Sequence, residues 1–329
     1  MHKHACALLL ALIMSLSAAW ALEAKDIKIG YLVKQPEEQW FQMEWKFAQE
    51  CADKYGFTLL KIGATDGEKL LTAIENIAAN GAQGFVCVTP DVRLGPAIVA
   101  AARRNNLKLV SNADQFIGAD GQPMLDVPYL GIAAYAIGRN VGDELWKEMQ
   151  NRGWKPEETG LCVMTFDELD TVRQRYEGAV DSIVEHGFPK ERVFRATIMQ
   201  SMDIPNAINA ANVLLGKHTG VKHWLIAGGN DNCVLGAVRA MEGAGVKVEN
   251  MIGIGINGTD CIIELEKPTA TGFFGSMLLS ARQHGWGATE FTYKWIKDGI
   301  EPPKDYRTEG VFINRANFRQ VLKDEGYTQ

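Results

Sequence analysis

The sequence has no C-x-x-C pair, no surplus of positive charge and, beyond its first two dozen residues, no apolar run long enough to cross a bilayer. Each absence removes a class of protein. With 34 Lys and Arg against 40 Asp and Glu, the formal charge of -6 leaves no basic footprint for nucleic acid. Cys6 falls at the extreme N-terminus, too early for a lipid-attachment cysteine. The other cysteines, Cys51, Cys87, Cys162, Cys233 and Cys261, form an odd, widely spaced set. Three of them (Cys87, Cys162, Cys233) sit in or beside apolar runs, which favours buried free thiols over a disulfide framework, although the residues alone leave room for one chance pair. His186, His218, His223 and His284 lack metal-ligand spacing and are expected at surfaces and helix ends. Neither a G-x-S-x-G elbow nor a G-x-x-x-x-G-K-[ST] loop occurs. Gly228-Gly229-Asn230 and Gly253-x-Gly255 read as tight turns or close strand packing. Asp167 and Glu168 read as an acidic helix start rather than an acid–base pair.

What is present begins with Met1-His-Lys-His4, a short apolar core, and Ala19-Trp-Ala21. That order is expected of a secretory signal cleaved near Ala21, so the mature chain is expected to be exported. At 329 residues the chain has length for two domains. Short apolar runs alternate with amphipathic stretches of ten to twenty residues, the pattern of βαβ units and parallel sheets. The runs at 27–33, 57–62, 84–89 and 107–110 make one series. A second opens at 160–165 and continues at 193–199, 223–227, 251–256 and 271–275, and a last strand is expected at 310–313. The fold class expected is α/β, two doubly wound parallel-sheet lobes with a ligand cleft between them, crossed by several chain segments. Ile132 and Leu279 lie near candidate crossings.

The stretch from Ile27 to Phe41 concentrates the functional signal. Its strand stops at Gln35-Pro36, and within eight residues it offers a cation (Lys34), a carboxylate (Glu38) and two aromatics (Trp40, Phe41). In an open parallel sheet, ligands bind beyond the carboxyl ends of the strands. Charge-assisted donors and acceptors with a flat apolar face suit a sugar, whose hydroxyls need partners and whose C–H face needs a ring. A capped helix with core aromatics and solvated charges would account for the same residues. Other strand ends deliver Asp114, Arg175, Asn230 and Asn257, a ring of hydrogen-bonding groups with no evident catalyst among them. No cofactor and no metal are expected.

The segments Leu32-Val-Lys-Gln-Pro-Glu-Glu-Gln-Trp-Phe41, Asp167-Glu-Leu-Asp-Thr-Val-Arg173-Gln-Arg175, Lys222-His-Trp-Leu-Ile226, Asn230-Asp231 and Ile252-Gly-Ile-Gly-Ile-Asn-Gly258 resemble the periplasmic arabinose-binding proteins of bacterial ABC importers. The resemblance runs from about Ile27 to the C-terminus. It implies two lobes joined by a three-segment hinge, with 25–132 plus 279–308 in the N-terminal lobe and 133–278 plus 309–329 in the C-terminal lobe. It also implies that Lys34, Glu38, Asp114, Arg175, Asn230 and Asn257 hydrogen-bond a monosaccharide while Trp40 and Phe41 pack on it. Ile132, Gly229 and Asp260 belong to the same implied site. Arg173 is the rival to Arg175, because positions two apart on a helix do not share a face.

The chain departs from that family's pattern at four places. Ala113 stands where the family has an aspartate, Ile132 and Gly229 where it has methionine, and Leu279 where it has proline. Gly229 is expected to vacate methionine-sized room. The implied function is capture of an arabinose-like pentose, or a galactose- or fucose-like sugar, for delivery to a membrane permease, with a chemoreceptor as a further partner and a monomer expected. An exported sugar-processing enzyme on the same fold is the alternative.

Overall fold

The computed structural model describes residues 23–327; the expected signal, with Cys6 and Ala21, lies outside them. Two six-stranded sheets organise the chain. The first contains β1 (Lys28–Val33), β2 (Thr58–Gly63), β3 (Gly84–Cys87), β4 (Lys108–Ala113), β5 (Tyr129–Ile132) and β11 (Asp305–Thr308), in the order β11-β5-β4-β3-β1-β2. The second contains β6 (Thr159–Thr165), β7 (Val193–Thr197), β8 (His223–Gly228), β9 (Met251–Asn257), β10 (Phe273–Leu278) and β12 (Val311–Asn314), in the order β12-β10-β9-β8-β6-β7. The windings match, and every neighbouring pair is parallel except β10 with β12.

Parallel sheets must be covered on both faces, and β1 shows how the residues arrange it. Tyr31 and Val33 join Phe41, Ala48, Val110 and Leu130 on one face. Leu32 points the other way, into Leu70, Ile74, Ile77, Phe85 and Ile98. The second sheet carries one continuous core that includes Trp224, Tyr176, Phe188 and Phe273. Cys51, Cys87, Cys162, Cys233 and Cys261 are free and buried, each as a small apolar filler.

Three elements lay beyond the sequence pattern. β5 is four residues long and contains a glycine. β11, Asp-Tyr-Arg-Thr, is a polar edge strand, and the helix Asp231–Gly243 is buried on nearly every side. The first two carry too little apolar periodicity to register as strands, and the third lacks an exposed stripe.

Within the described residues the chain passes between the sheets three times. β5 leads through Ala133 into the helix Ala134–Asn151, which lies against β8, β9 and β10. β10 leads through Leu279 and Ser280 into a π-helical turn, Gln283–Gly287, and the helix Ala288–Asp298, which packs on β1, β3 and β4. β11 reaches β12 through Glu309 and Gly310 alone. Tyr327 braces the second passage: its hydroxyl donates to the Leu279 carbonyl and accepts from the Ala281 amide, both at 2.9 Å.

Candidate functional site

The site grows from the carboxyl ends of the strands. After β1, the backbone turns at Gln35–Glu38 and enters the helix Gln39–Tyr55, which puts Lys34 beside the end of β4. Lys34 Nζ lies 2.7 Å from Asp114 Oδ2, both side chains about a quarter exposed. Asp114 is delivered by a tight turn. Its amide donates to the Asn112 carbonyl at 2.9 Å, its own carbonyl accepts from Ser111 Oγ at 2.8 Å, and Ala113 between them adopts φ +68°. That left-handed conformation is costly for an alanine.

From the second sheet, Arg175 Nη1 donates to the Gly229 carbonyl at 2.7 Å, and its Nε is buried with no protein acceptor. Burial lowers the pKa of this guanidinium, and the charge of Asp114, contributed by the other sheet, opposes that shift. Arg173 is exposed and bonds Asp170. The two arginines therefore take opposite faces of their helix. Glu38, from the loop after β1, also feels the charge of Asp260 just beyond the end of β9. Loss of surrounding water raises the Glu38 carboxyl, Asp260 pushes it further and Lys34 opposes; Asp260 is itself raised by burial.

Asn230 is largely occupied by its own backbone neighbourhood. Its Oδ1 caps the following helix by accepting from the Cys233 amide at 2.8 Å, and its Nδ2 donates to the Met202 carbonyl at 3.1 Å, so one amide hydrogen remains. Asn257 ends β9 at φ +116°, and its carbonyl accepts from the Leu279 amide at 3.0 Å, a bond that proline at 279 could not make. Asp231 secures the same turn: its carboxylate accepts from the Gly258 amide at 2.9 Å and from Ser276 Oγ at 2.5 Å. Complete burial lifts its pKa to about 7. Ile132 and Phe41 are buried, and Trp40 packs against the cores of both sheets.

Two expectations need correction. Gly229 does not open methionine-sized room, because a Cβ there would lie 2.4 Å from Val172 Cγ1 and 3.4 Å from Met202 Sδ. Those side chains already take up the space. Nor is His284 at a surface, although it lies in the first turn of a helical segment. It is fully buried, with Nδ1 3.0 Å from Asn112 Oδ1 and Nε2 3.1 Å from Thr308 Oγ1, and the ring of Trp40 meets it edge-on at 5.6 Å. Asn112 Nδ2 donates to Tyr31 Oη at 2.9 Å and to Glu44 at 3.3 Å, and Tyr31 donates to Glu44 at 3.1 Å. Glu44, 0% exposed one helical turn beyond Trp40, is pushed up to about 8 by burial.

This polar centre was invisible to sequence reasoning, since Glu44 falls among apolar positions and His284 follows an unremarkable Arg-Gln. Its one available signal was a carboxylate on the buried side of the helix that begins beside Lys34. Among the described residues, no group of three or more His, Cys, Asp or Glu side chains is arranged to hold a metal.

Two matched doubly wound sheets, three passages and polar groups meeting at the strand ends define a two-lobed binding protein. The model for periplasmic binding proteins and the sugar binding domain of the LacI family matches residues 26–319, and the chain belongs to that family. It is 48% identical to the L-arabinose-binding periplasmic protein of Escherichia coli (strain K12), with 99% of each chain covered. It is 43% identical to the ABC transporter L-arabinose-binding periplasmic protein of Azospirillum brasilense, covering 91% of this chain and 90% of that one. Among solved structures, a periplasmic ribose ABC transporter protein from Conexibacter woesei superposes with a TM-score of 0.75 at 17% identity, over 92% of this chain and 96% of that one, a likeness of fold.

Proposed function

We propose that this chain is a periplasmic receptor that captures L-arabinose or a closely related monosaccharide and passes it, chemically unchanged, to the membrane permease of an ABC importer. What supports this reading is that both sheets offer polar groups at their strand ends. Lys34 and Asp114 come from the first sheet, Arg175 comes from the second, and Arg175 Nε is buried without a protein acceptor. A buried donor on a charged group is costly to leave unmade, and a sugar oxygen would satisfy it. Trp40, partly buried between the two cores, supplies a ring for the sugar's C–H face. Two full-length relatives with arabinose-binding names support the choice of sugar.

The lobes in this reading are 25–132 plus 279–308 and 133–278 plus 309–329, closing about the three passages. Closure lowers the local dielectric around the bonds it covers, which strengthens them. Calorimetry and thermal unfolding of the chain from Leu22 onward, against pentoses and hexoses, test the reading. L-arabinose or a close epimer should raise the midpoint and be recovered intact. A panel with no stabilising monosaccharide, or a sugar recovered as product, would overturn it.

A further inference from the structure

The turn that presents Asp114 is strained at Ala113, and the structure shows what holds it. Alanine at φ +68° has no side-chain group to bond its own backbone, as asparagine or aspartate would there, so the conformation needs outside support. Tyr129, from the neighbouring strand, provides it. Its hydroxyl donates to the Ala113 carbonyl at 3.0 Å. To reach that carbonyl the ring lies over the residue two further along β5, and that residue is Gly131. A Cβ on Gly131 would fall 1.8 Å from Tyr129 Oη and 2.1 Å from Cζ. Ala113 and Gly131 are register partners between β4 and β5, so the phenol spans one rung of the ladder. Tyr129 is 4% exposed, and the guanidinium of Arg307 lies 5.9 Å from its ring.

We infer that Tyr129 is a positioning residue for sugar recognition: its hydroxyl pins the Ala113 carbonyl and thereby fixes the turn that aims the Asp114 carboxylate at Lys34 and the sugar, with Gly131 leaving the ring its path. Residues 113, 129 and 131 thus act as one unit, and affinity for the hydroxyl that Asp114 meets depends on a phenol that need not touch the ligand. The inference rests on the proposed sugar-binding role.

The test is a double-mutant cycle by calorimetry with L-arabinose, using Tyr129→Phe and Asp114→Asn. Tyr129→Phe keeps the packed ring and removes only the hydroxyl. It should weaken binding roughly three- to tenfold in the parent, the worth of one hydrogen bond, and less than about twofold in the Asp114→Asn background. In Tyr129→Phe, replacing Ala113 by glycine, which enters the left-handed region freely, should recover most of the loss. Equal losses in both backgrounds, or no loss at all, would overturn the inference. A crystal structure of Tyr129→Phe supplies a readout that needs no sugar: Ala113 should leave the left-handed region, and an unchanged turn overturns the inference even if the parent binds none of the sugars. That last outcome, by itself, overturns the proposed function.

Discussion

His284 Nδ1 lies 3.0 Å from Asn112 Oδ1, and this contact fixes the protonation pattern of the buried centre between the first sheet and its covering helices. The Asn112 amide nitrogen faces Tyr31 and Glu44 as a donor, so its oxygen accepts and the Nδ1 of His284 carries the proton. Nε2 then faces the Thr308 hydroxyl. Burial lowers the imidazole to about 4 and raises the Glu44 carboxyl to about 8, so both are favoured in their neutral forms. As pH falls below the ordinary histidine value toward 4, the unfolded chain takes up a proton that the folded chain resists, and stability declines. As pH rises from the ordinary glutamate value toward 8, the unfolded chain releases a proton that the folded chain keeps, and stability declines again.

The alkaline limb can be isolated with Glu44→Gln, which retains an amide-for-carboxyl shape and removes the titration. Between pH 5 and 9 the thermal midpoint of the parent relative to that of the variant should fall steadily up to about pH 8, while the His284 and Asp231 contributions, common to both proteins, cancel in the difference. Parallel curves would mean that Glu44 does not titrate in this window.

Arg175 and Arg173 make a matched pair for the ligand site. Arg175→Ala removes a buried charged donor and should weaken sugar binding by about a hundredfold or more, on the scale of hydrogen bonds to charged groups. Arg173→Ala, at an exposed position bonded to Asp170, should change affinity less than about twofold. Calorimetry with both folded variants distinguishes them, and the reverse ranking would place the binding face of that helix on the wrong side.

Gly229 tests how the edge of the site is filled. Gly229→Met drives a Cβ to 2.4 Å from Val172 Cγ1 and should cost about 1–3 kcal/mol of stability by overpacking. Pairing it with Val172→Ala should restore much of that loss in urea unfolding. A stable single variant would show that Val172 moves aside readily.

The thiols give a simple check on the packing. In the chain from Leu22 onward, Cys51, Cys87, Cys162, Cys233 and Cys261 should be silent to Ellman's reagent in the native state and all five should react on unfolding. Burial also raises each thiol's pKa, which suppresses the reactive thiolate.

Most of the fold was legible because each lobe repeats a strong local signal, a short apolar run followed by an amphipathic helix closed by glycine, as at Gly56. Lys34 and Asp114 were legible as strand-end residues, since a parallel sheet sends its carboxyl ends to one side. What could not be read was long-range. Tyr129 and Ala113 are separated by a loop, and only the register of β4 with β5 brings hydroxyl to carbonyl. The same holds for Glu44, Asn112 and His284, which come from three distant segments and meet only once the sheet and its helices are packed. Gly229 misled for a related reason: removing a side chain from one position says nothing of what a neighbour such as Val172 does with the space.

The two-residue link between β11 and β12 bears on how the molecule is made. Each sheet takes one of its two outermost strands from the last stretch of polypeptide, so the first cannot be finished until Thr308 has been synthesised and the second until Asn314 has. A nascent chain of this design keeps one open edge on each sheet almost to termination.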